Sequence, residues 1–189
     1  TSNAPTQAWR FQNIFFNNAG DAACVRLQRL ITGSDSSHAS FYGCKFTGAD
    51  SGIQTGEIIF LTVVGCTFFD FVGTTDTGIE ASIAGGIANP PYLSWVIQNN
   101  VFTNNVNHIT GALRNATITG NSFSWKGRSV TTTLQLDLTN GVNNVIMGNY
   151  FGVAHAETGS AGMFLPQNTL NSWLNFYRDG LVALVPATA

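Results

Sequence analysis

Ile118-Thr119-Gly120-Asn121-Ser122-Phe123 is a clear copy of the six-residue pattern that decides the fold of this chain. The pattern consists of an apolar residue, any residue, Gly or Asn, a corner residue, any residue and Phe. It occurs at residues 11–16, 41–46, 63–68, 97–102, 118–123 and 146–151, and its closing Phe residues are 30, 22, 34, 21 and 28 positions apart. A repeat of about 20–35 residues is typical of a solenoid, in which each repeat forms one coil stacked on the last. The sequence therefore predicts a solenoid.

Short strands, rather than helices, are predicted within each repeat. Apolar residues alternate with period two, as in Leu134-Gln135-Leu136-Asp137-Leu138, and turn-forming residues bound each burst. From Ile97 onward, one coil reads as three short strands separated by corners at Asn99-Asn100 and Asn104-Asn105. Equivalent strands of successive coils then form three parallel sheets, and the repeated Phe residues are expected to stack inside at about 4.8 Å intervals.

The last three copies of the pattern resemble the repeat of right-handed parallel β-helices, as in pectate-lyase-like enzymes and phage tailspikes. In that family, corner Asn side chains stack as a hydrogen-bonded ladder, and Asn100, Asn121 and Asn149 match the ladder position. The earlier copies carry other residues there, so the resemblance implies a ladder in the second half only; these residues are Ile14, Cys44 and Cys66. The expected fold is all-β, a right-handed single-stranded parallel β-helix of about six to seven coils with a non-repeat C-terminal cap.

Two regions are expected along the chain. Residues 1–166 are predicted to form the coils, and residues 167–189, which leave the repeat after Pro166, a cap or a subunit contact. The open end of a solenoid exposes unpaired strand edges, which favours a cap. The chain begins with Thr1 rather than Met, which suggests a mature product or a piece of a longer polypeptide.

Composition excludes several classes of partner. Charged residues make up 10% of the 189 residues, against about 25% in typical soluble domains, and the net charge is −2. Without a basic stripe, no nucleic-acid partner is expected, and no apolar run is long enough for membrane insertion. A surface of neutral polar groups is common in extracellular and virion β-proteins, so a virion surface or an extracellular location is expected.

Three cysteines offer no metal site or cofactor site, because no CxxC or Cys/His spacing is present. Cys44 and Cys66 occupy the same position in consecutive repeats. A stacked pair of buried thiols is favoured there, since free Cys behaves as a small hydrophobe. A disulfide between the two stays open as an alternative, although in-register neighbours rarely offer the required geometry.

The most polar surface that the sequence predicts is the outer side of the third strand of each coil. Aligning these strands on Val25, Ile53, Ile79, Ile109, Leu134 and Met163 places a row of residues outward, and this row is Arg26, Gln54, Glu80, Thr110, Gln135 and Phe164. His108 is expected outward just before this row and Asp137 two positions beyond it. The family resemblance implies that saccharides lie along such a sheet, and Trp95 is a further candidate for stacking on a sugar.

Glu80 and Asp137 are the weak candidates for catalysis. On the predicted alignment they lie two coils apart, about 10 Å along the axis. Inverting glycosidases need carboxyl groups about 6.5–9.5 Å apart, and retaining ones about 5–5.5 Å. A lyase would need acidic calcium ligands and a basic residue, and the nearby cations are only Arg26 and Arg114.

Three functions follow as hypotheses. The favoured one is a structural or adhesive virion component, a phage tail appendage or capsid decoration, that assembles with other virion chains as a homo-oligomer, a trimer or a lattice. The second is a polysaccharide hydrolase or lyase, and the third a non-catalytic module that binds a surface glycan. The first is favoured because no position of the repeat contains a recurrent acid or metal ligand, whereas the residue before Phe faces out and is partly apolar.

Overall fold

The computed structural model describes residues 7–18, 20, 22–28, 37–48, 50–56, 60–73, 76–82, 94–111, 113, 115–124, 134–137, 144–152, 163–164, 171–173, 175–177 and 180–182. Within these ranges the regular structure is all β, without helices. The strands form three sheets that are parallel throughout except for the last pair. This arrangement is consistent with the predicted parallel solenoid.

Each sheet takes one strand from each successive coil. Sheet A contains β1 (Gln7–Gln12), β4 (Ser37–Tyr42), β7 (Phe60–Val64), β10 (Ser94–Gln98), β13 (Thr117–Thr119), β16 (Val145–Met147) and β19 (Asn171–Trp173). Sheet B contains β2 (Phe15–Asn18), β5 (Lys45–Gly48), β8 (Thr67–Phe69), β11 (Val101–Thr103), β14 (Ser122–Ser124), β17 (Tyr150–Phe151), β20 (Asn175–Tyr177) and β21 (Gly180–Val182). Sheet C contains β3 (Val25–Gln28), β6 (Ser51–Gly56), β9 (Thr77–Ser82), β12 (Asn107–Gly111), β15 (Leu134–Asp137) and β18 (Met163–Phe164).

A column of stacked phenylalanine rings runs through the core, as the repeat predicts. Its members are Phe16, Phe46, Phe68, Phe102, Phe123 and Phe151. Successive centroids lie 4.6 Å apart at the closest and 5.1 Å at the widest, and the rings are close to parallel. This spacing matches the separation of neighbouring strands, so each ring covers the next and the column fixes the register of sheet B.

Corners between sheets A and B use the left-handed backbone conformation, which only Gly and Asn adopt at low cost. Asn99 has φ 55° and Gly120, one coil further on, has φ 64°. The pattern requires Gly or Asn at its third position for this reason.

The stacking continues beyond residue 166, further than the sequence predicts. Strand β19 pairs in parallel with β16, and β20 pairs in parallel with β17. Strands β19 and β20 therefore continue the repeat, with Asn175 in register after Asn149 and Tyr177 in the register position of Phe151. Strand β21 then pairs antiparallel with β20.

Candidate functional site

The outward polar row of sheet C exists, and we call it the sheet C column. Backbone register places its members side by side in the order Arg26, Gln54, Glu80, Thr110, Asp137 and Phe164. Arg26 is exposed, and Gln54, Glu80 and Thr110 are partly exposed. Neighbouring members are one strand spacing apart, about 4.8 Å. The column therefore offers a cation, an amide, a carboxylate and a hydroxyl along one line.

One part of the predicted alignment is wrong by two residues. Leu136, not Leu134, pairs with Ile109, so Asp137 lies in the sheet C column. Gln135 lies instead at the register position of His108. A shift of two residues leaves every apolar side chain on the same face, and the alternation of leucines in this strand therefore cannot reveal it.

Glu80 is held by the coil before it. The Ser51 hydroxyl and the Gln54 amide both donate to Glu80 Oε2, at 2.7 Å and 3.1 Å. Both donors belong to β6, which pairs with one edge of β9. Asp137 belongs to β15, which is two strands from β9 on its opposite edge. The register keeps the backbones of Glu80 and Asp137 about 9.6 Å apart. These contacts engage the Glu80 carboxylate on the side that faces away from Asp137.

Trp95 lies in the core, so its predicted role in stacking on a sugar is wrong. Its exposed fraction is 1%. Trp95 and Ile97 point inward from β10, and Trp95 pairs in register with Leu61, which pairs with the small Ala39. Trp95 lies two residues before the inward-facing Ile97, and this period-two spacing predicts that Trp95 also faces inward.

His108 is also buried, and its predicted outward position is wrong. Its ring lies between Phe102 and Phe123, with centroids 5.8 Å and 5.7 Å away. The preceding strand of sheet C has Gly78 at the same register position, where a side chain would collide with Phe102. Alternation fails here because β12 has two consecutive inward residues, His108 and Ile109. Burial lowers the pKa of His108 to about 3, so the ring is neutral near pH 7.

The predicted asparagine ladder is confirmed. Asn100 Nδ2 donates to Asn121 Oδ1 at 3.0 Å, and Asn121 Nδ2 donates to Asn149 Oδ1 at 3.0 Å. Each Oδ1 also accepts the backbone N–H of the preceding ladder residue. The ladder extends to Asn175, which sequence reasoning missed because the residues around it depart from the pattern.

At two other corners, an Asn side chain again accepts a backbone N–H from the preceding coil. Asn105 Oδ1 accepts the Phe71 N–H and Asn144 Oδ1 accepts the Ala116 N–H, and both Asn side chains are fully buried. The adjacent pairs Asn104-Asn105 and Asn143-Asn144 are the sequence signal for these corners.

In the first half of the chain, thiols occupy the ladder position. Cys44 and Cys66 are thiols that form no disulfide with each other. Cys66 Sγ accepts the Cys44 N–H at 3.4 Å, and the Cys66 N–H donates to Asn100 Oδ1 at 2.8 Å. Burial raises the pKa of Cys66 to about 12, so it remains a thiol. The ladder of asparagines is confined to the second half, as predicted.

Exposed apolar side chains are found on sheets A and B. The residue before Phe faces outward in sheet B, where Phe15 is 58% exposed and Val101 and Tyr150 are each 42% exposed. Sheet A exposes Phe60, Val96 and Met147. In β3, β6, β9 and β12 of sheet C, no large apolar residue whose side chain is described is exposed to this degree. The faces of the solenoid thus differ in chemistry.

Within the described ranges, no group of three or more His, Cys, Asp or Glu side chains is placed to hold a metal ion. The same residues contain no helix with the length and hydropathy that a membrane span requires. No protein-family model, curated protein or solved structure matches the chain.

Proposed function

We propose that this chain is a non-catalytic structural or adhesive solenoid within a larger assembly, of the kind found in phage tail appendages and capsid decorations. The proposal includes a right-handed β-helix of about six to seven coils, because nearly all parallel crossover connections are right-handed. It places the chain on a virion surface or outside the cell, associated with copies of itself as a trimer or a lattice.

The exposed apolar residues of sheets A and B support this proposal most directly. Val101 and Tyr150 lie in one outward column of sheet B, on strands separated by β14. Removal of apolar surface from water contributes about 25 cal/mol per Å², which favours association through these faces. The same column also contains Lys45, Thr67 and Ser122, so its apolar side chains are interspersed with polar ones.

Sedimentation velocity tests the association. We expect the wild-type chain to sediment as an oligomer and Tyr150→Asp, alone or with Val101→Asp, to shift it to the monomer, because a buried unpaired carboxylate is costly. Ala22→Asp is the matched control, since it adds the same charge at an exposed position just before β3, outside sheets A and B. Circular dichroism confirms folding of each variant. A wild-type chain that is monomeric at its highest soluble concentration would contradict the proposal.

A second candidate, binding of a glycan along sheet C, is supported by the arrangement around Glu80. Its carboxylate is fixed by Ser51 and Gln54 and lies between Gln54 and Thr110 in the column. A positioned acceptor among neutral donors suits the hydroxyl groups of a saccharide. In this second candidate function, Arg26, Gln54 and Glu80 bind the glycan. Asp137 lacks a second carboxylate placed to act with it in hydrolysis.

A glycan array followed by a reducing-sugar assay separates binding from hydrolysis. We expect retention of a glycan without release of sugar, and a loss of affinity of about tenfold in Glu80→Gln, equivalent to one hydrogen bond to a charged group. Ser122→Ala, on the outer side of sheet B, is the control. Sugar release that disappears in Glu80→Gln would instead support the hydrolase. No retained glycan would rule out this second candidate.

A further inference from the structure

The pair formed by His108 and Asn105 has a fixed hydrogen-bond polarity. Asn105 Oδ1 accepts the Phe71 N–H at 3.2 Å, and Asn105 Nδ2 donates to the Phe68 carbonyl at 3.1 Å. The amide orientation is therefore set by the backbone of the preceding coil. Nδ2 also lies 3.1 Å from His108 Nδ1, so Nδ1 must be the acceptor and the ring proton is on Nε2.

A second proton on the ring would find no acceptor among the described residues. It would bind Nδ1 and point at the Asn105 NH₂ group, which is itself a donor. Nε2 is buried, and no described residue forms a hydrogen bond with it. Rotation of the Asn105 amide would not help, because it would turn NH₂ toward the Phe71 N–H and break both bonds to the preceding coil.

No described charged group faces the ring to compensate for a positive charge. The described residues of β11, β12 and β14 are uncharged. On β9 and β15 the charged residues are Glu80 and Asp137, both at register positions of the outward column, and Glu80 is engaged with β6. Asp76, just before β9, accepts the Gly73 N–H.

Asn105 also joins two coils. It connects the corner between β11 and β12 to the backbone of Phe68, within β8, and of Phe71, just after β8. The adjacent Val106 N–H donates to the Phe71 carbonyl at 2.8 Å. We propose that His108 and Asn105 form an acid-sensitive joint, at which uptake of a proton from solvent by His108 Nδ1 releases the coil of β10–β12 from the coil of β7–β9.

The direction of the pH dependence follows from linkage. The pKa of His108 is about 3 in the folded chain and about 6.5 when the ring is in water. Between these values the opened state binds one proton more than the closed state. The closed joint is thus fully stable above about pH 6.5 and loses stability as the pH falls toward 3. The population of the opened state rises by up to about tenfold for each pH unit in that window.

Hydrogen exchange measured by mass spectrometry at pH 7.5 and pH 5, corrected for the intrinsic rate, tests the joint. We expect faster exchange at pH 5 in peptides that cover 68–73 and 105–111, with little change in the coils of β13–β17. His108→Gln should abolish this acid response, because its amide oxygen accepts from Asn105 but does not titrate. His38→Gln should retain it, since His38 stacks on Phe60 outside the core and is the matched loss of a titratable ring.

Two results would overturn the proposal: an acid response in His108→Gln equal to that of the wild type, or faster exchange spread evenly over all coils. Nitrogen NMR of the ring in the wild-type chain gives a readout that needs no variant. It should report an Nε2–H tautomer that stays neutral at pH 5 in the folded state. A His108 ring that titrates near pH 6.5 in the folded chain would exclude the joint.

Discussion

At the scale of single residues, the fold depends on one repeated hydrogen bond, in which a side chain accepts a backbone N–H from the preceding coil. An Asn side chain does this at three kinds of corner, and a thiol does it at Cys66. The amide adds a donor that reaches both the next side chain and a backbone carbonyl, and a thiol gives a weaker bond. The second half of the solenoid is therefore better connected than the first at this corner.

Asn121→Ala tests the ladder at its centre. The change removes the acceptor of the Asn100 N–H and the donor to the Ile97 carbonyl, and both groups are left buried. We expect the free energy of unfolding to fall by about 3 kcal/mol, because a buried unsatisfied group costs about 1–3 kcal/mol. Urea denaturation measures the loss.

Asn17→Ala is the matched control, since Asn17 is exposed on β2. A change within about 0.5 kcal/mol is expected there, as for most surface substitutions. Equal effects of the two substitutions would show that the ladder does not stabilise the chain.

Residue-level prediction succeeded where the pattern was complete and failed where it changed. Asn100, Asn121 and Asn149 stand in intact copies of the repeat, and the ladder follows from them. Asn175 stands in a copy in which Ser172 and Tyr177 replace the usual Ile and Phe. His108 was misplaced because a bend at the start of β12 interrupts alternation.

At the scale of strands, sheet C depends on small residues opposite the phenylalanine column. A Cβ atom at Gly78 would lie 2.8 Å from the His108 carbonyl oxygen and 3.0 Å from Phe102 Cδ1. A side chain at Gly78 would therefore collide with the backbone of β12 and with the ring of Phe102. The register of β9 against β12 places Gly78 at the position of His108, where the two strands and the phenylalanine column leave no room for a Cβ atom.

Gly78→Ala is expected to lower the free energy of unfolding by about 2 kcal/mol, since overpacking of a core costs about 1–3 kcal/mol. Thermal unfolding followed by circular dichroism gives the measurement. Gly65→Asn is the control, because nothing lies within 4 Å of its Cβ position and Asn99 adopts the same left-handed backbone. A stable Gly78→Ala variant would show that β9 can move away from β12 at little cost.

At the scale of the whole molecule, the sequence predicts the fold well but predicts poorly which residues form the candidate site. Six spaced copies of one pattern constrain the stacking direction, the core and the corners together. A binding surface depends on which residues share a column across coils. Aligning Ile109 with Leu134 instead of Leu136 changes the residues of the column but leaves the alternation of apolar residues unchanged. Asp137 entered the sheet C column and Gln135 left it for this reason.

Salt dependence extends the association prediction to the whole molecule. With 10% charged residues and a net charge of −2, electrostatic attraction contributes little to contacts between copies. Association through sheets A and B should persist in about 1 M sodium chloride, where the Debye length is only about 3 Å. Sedimentation at low and high salt checks this, and dissociation by salt would assign the contact to charged groups instead.

The antiparallel strand β21 changes the edge that sheet B presents to another chain. Every sheet of stacked parallel strands is a template on which another chain can extend it, and unlimited extension produces fibres. Because β21 runs against the other strands of sheet B, a strand added there in the direction of the coils would pair with β21 antiparallel, with a different hydrogen-bond pattern from the ladder between coils. A further coil would therefore not continue sheet B at β21 in the parallel pairing that stacks the described coils.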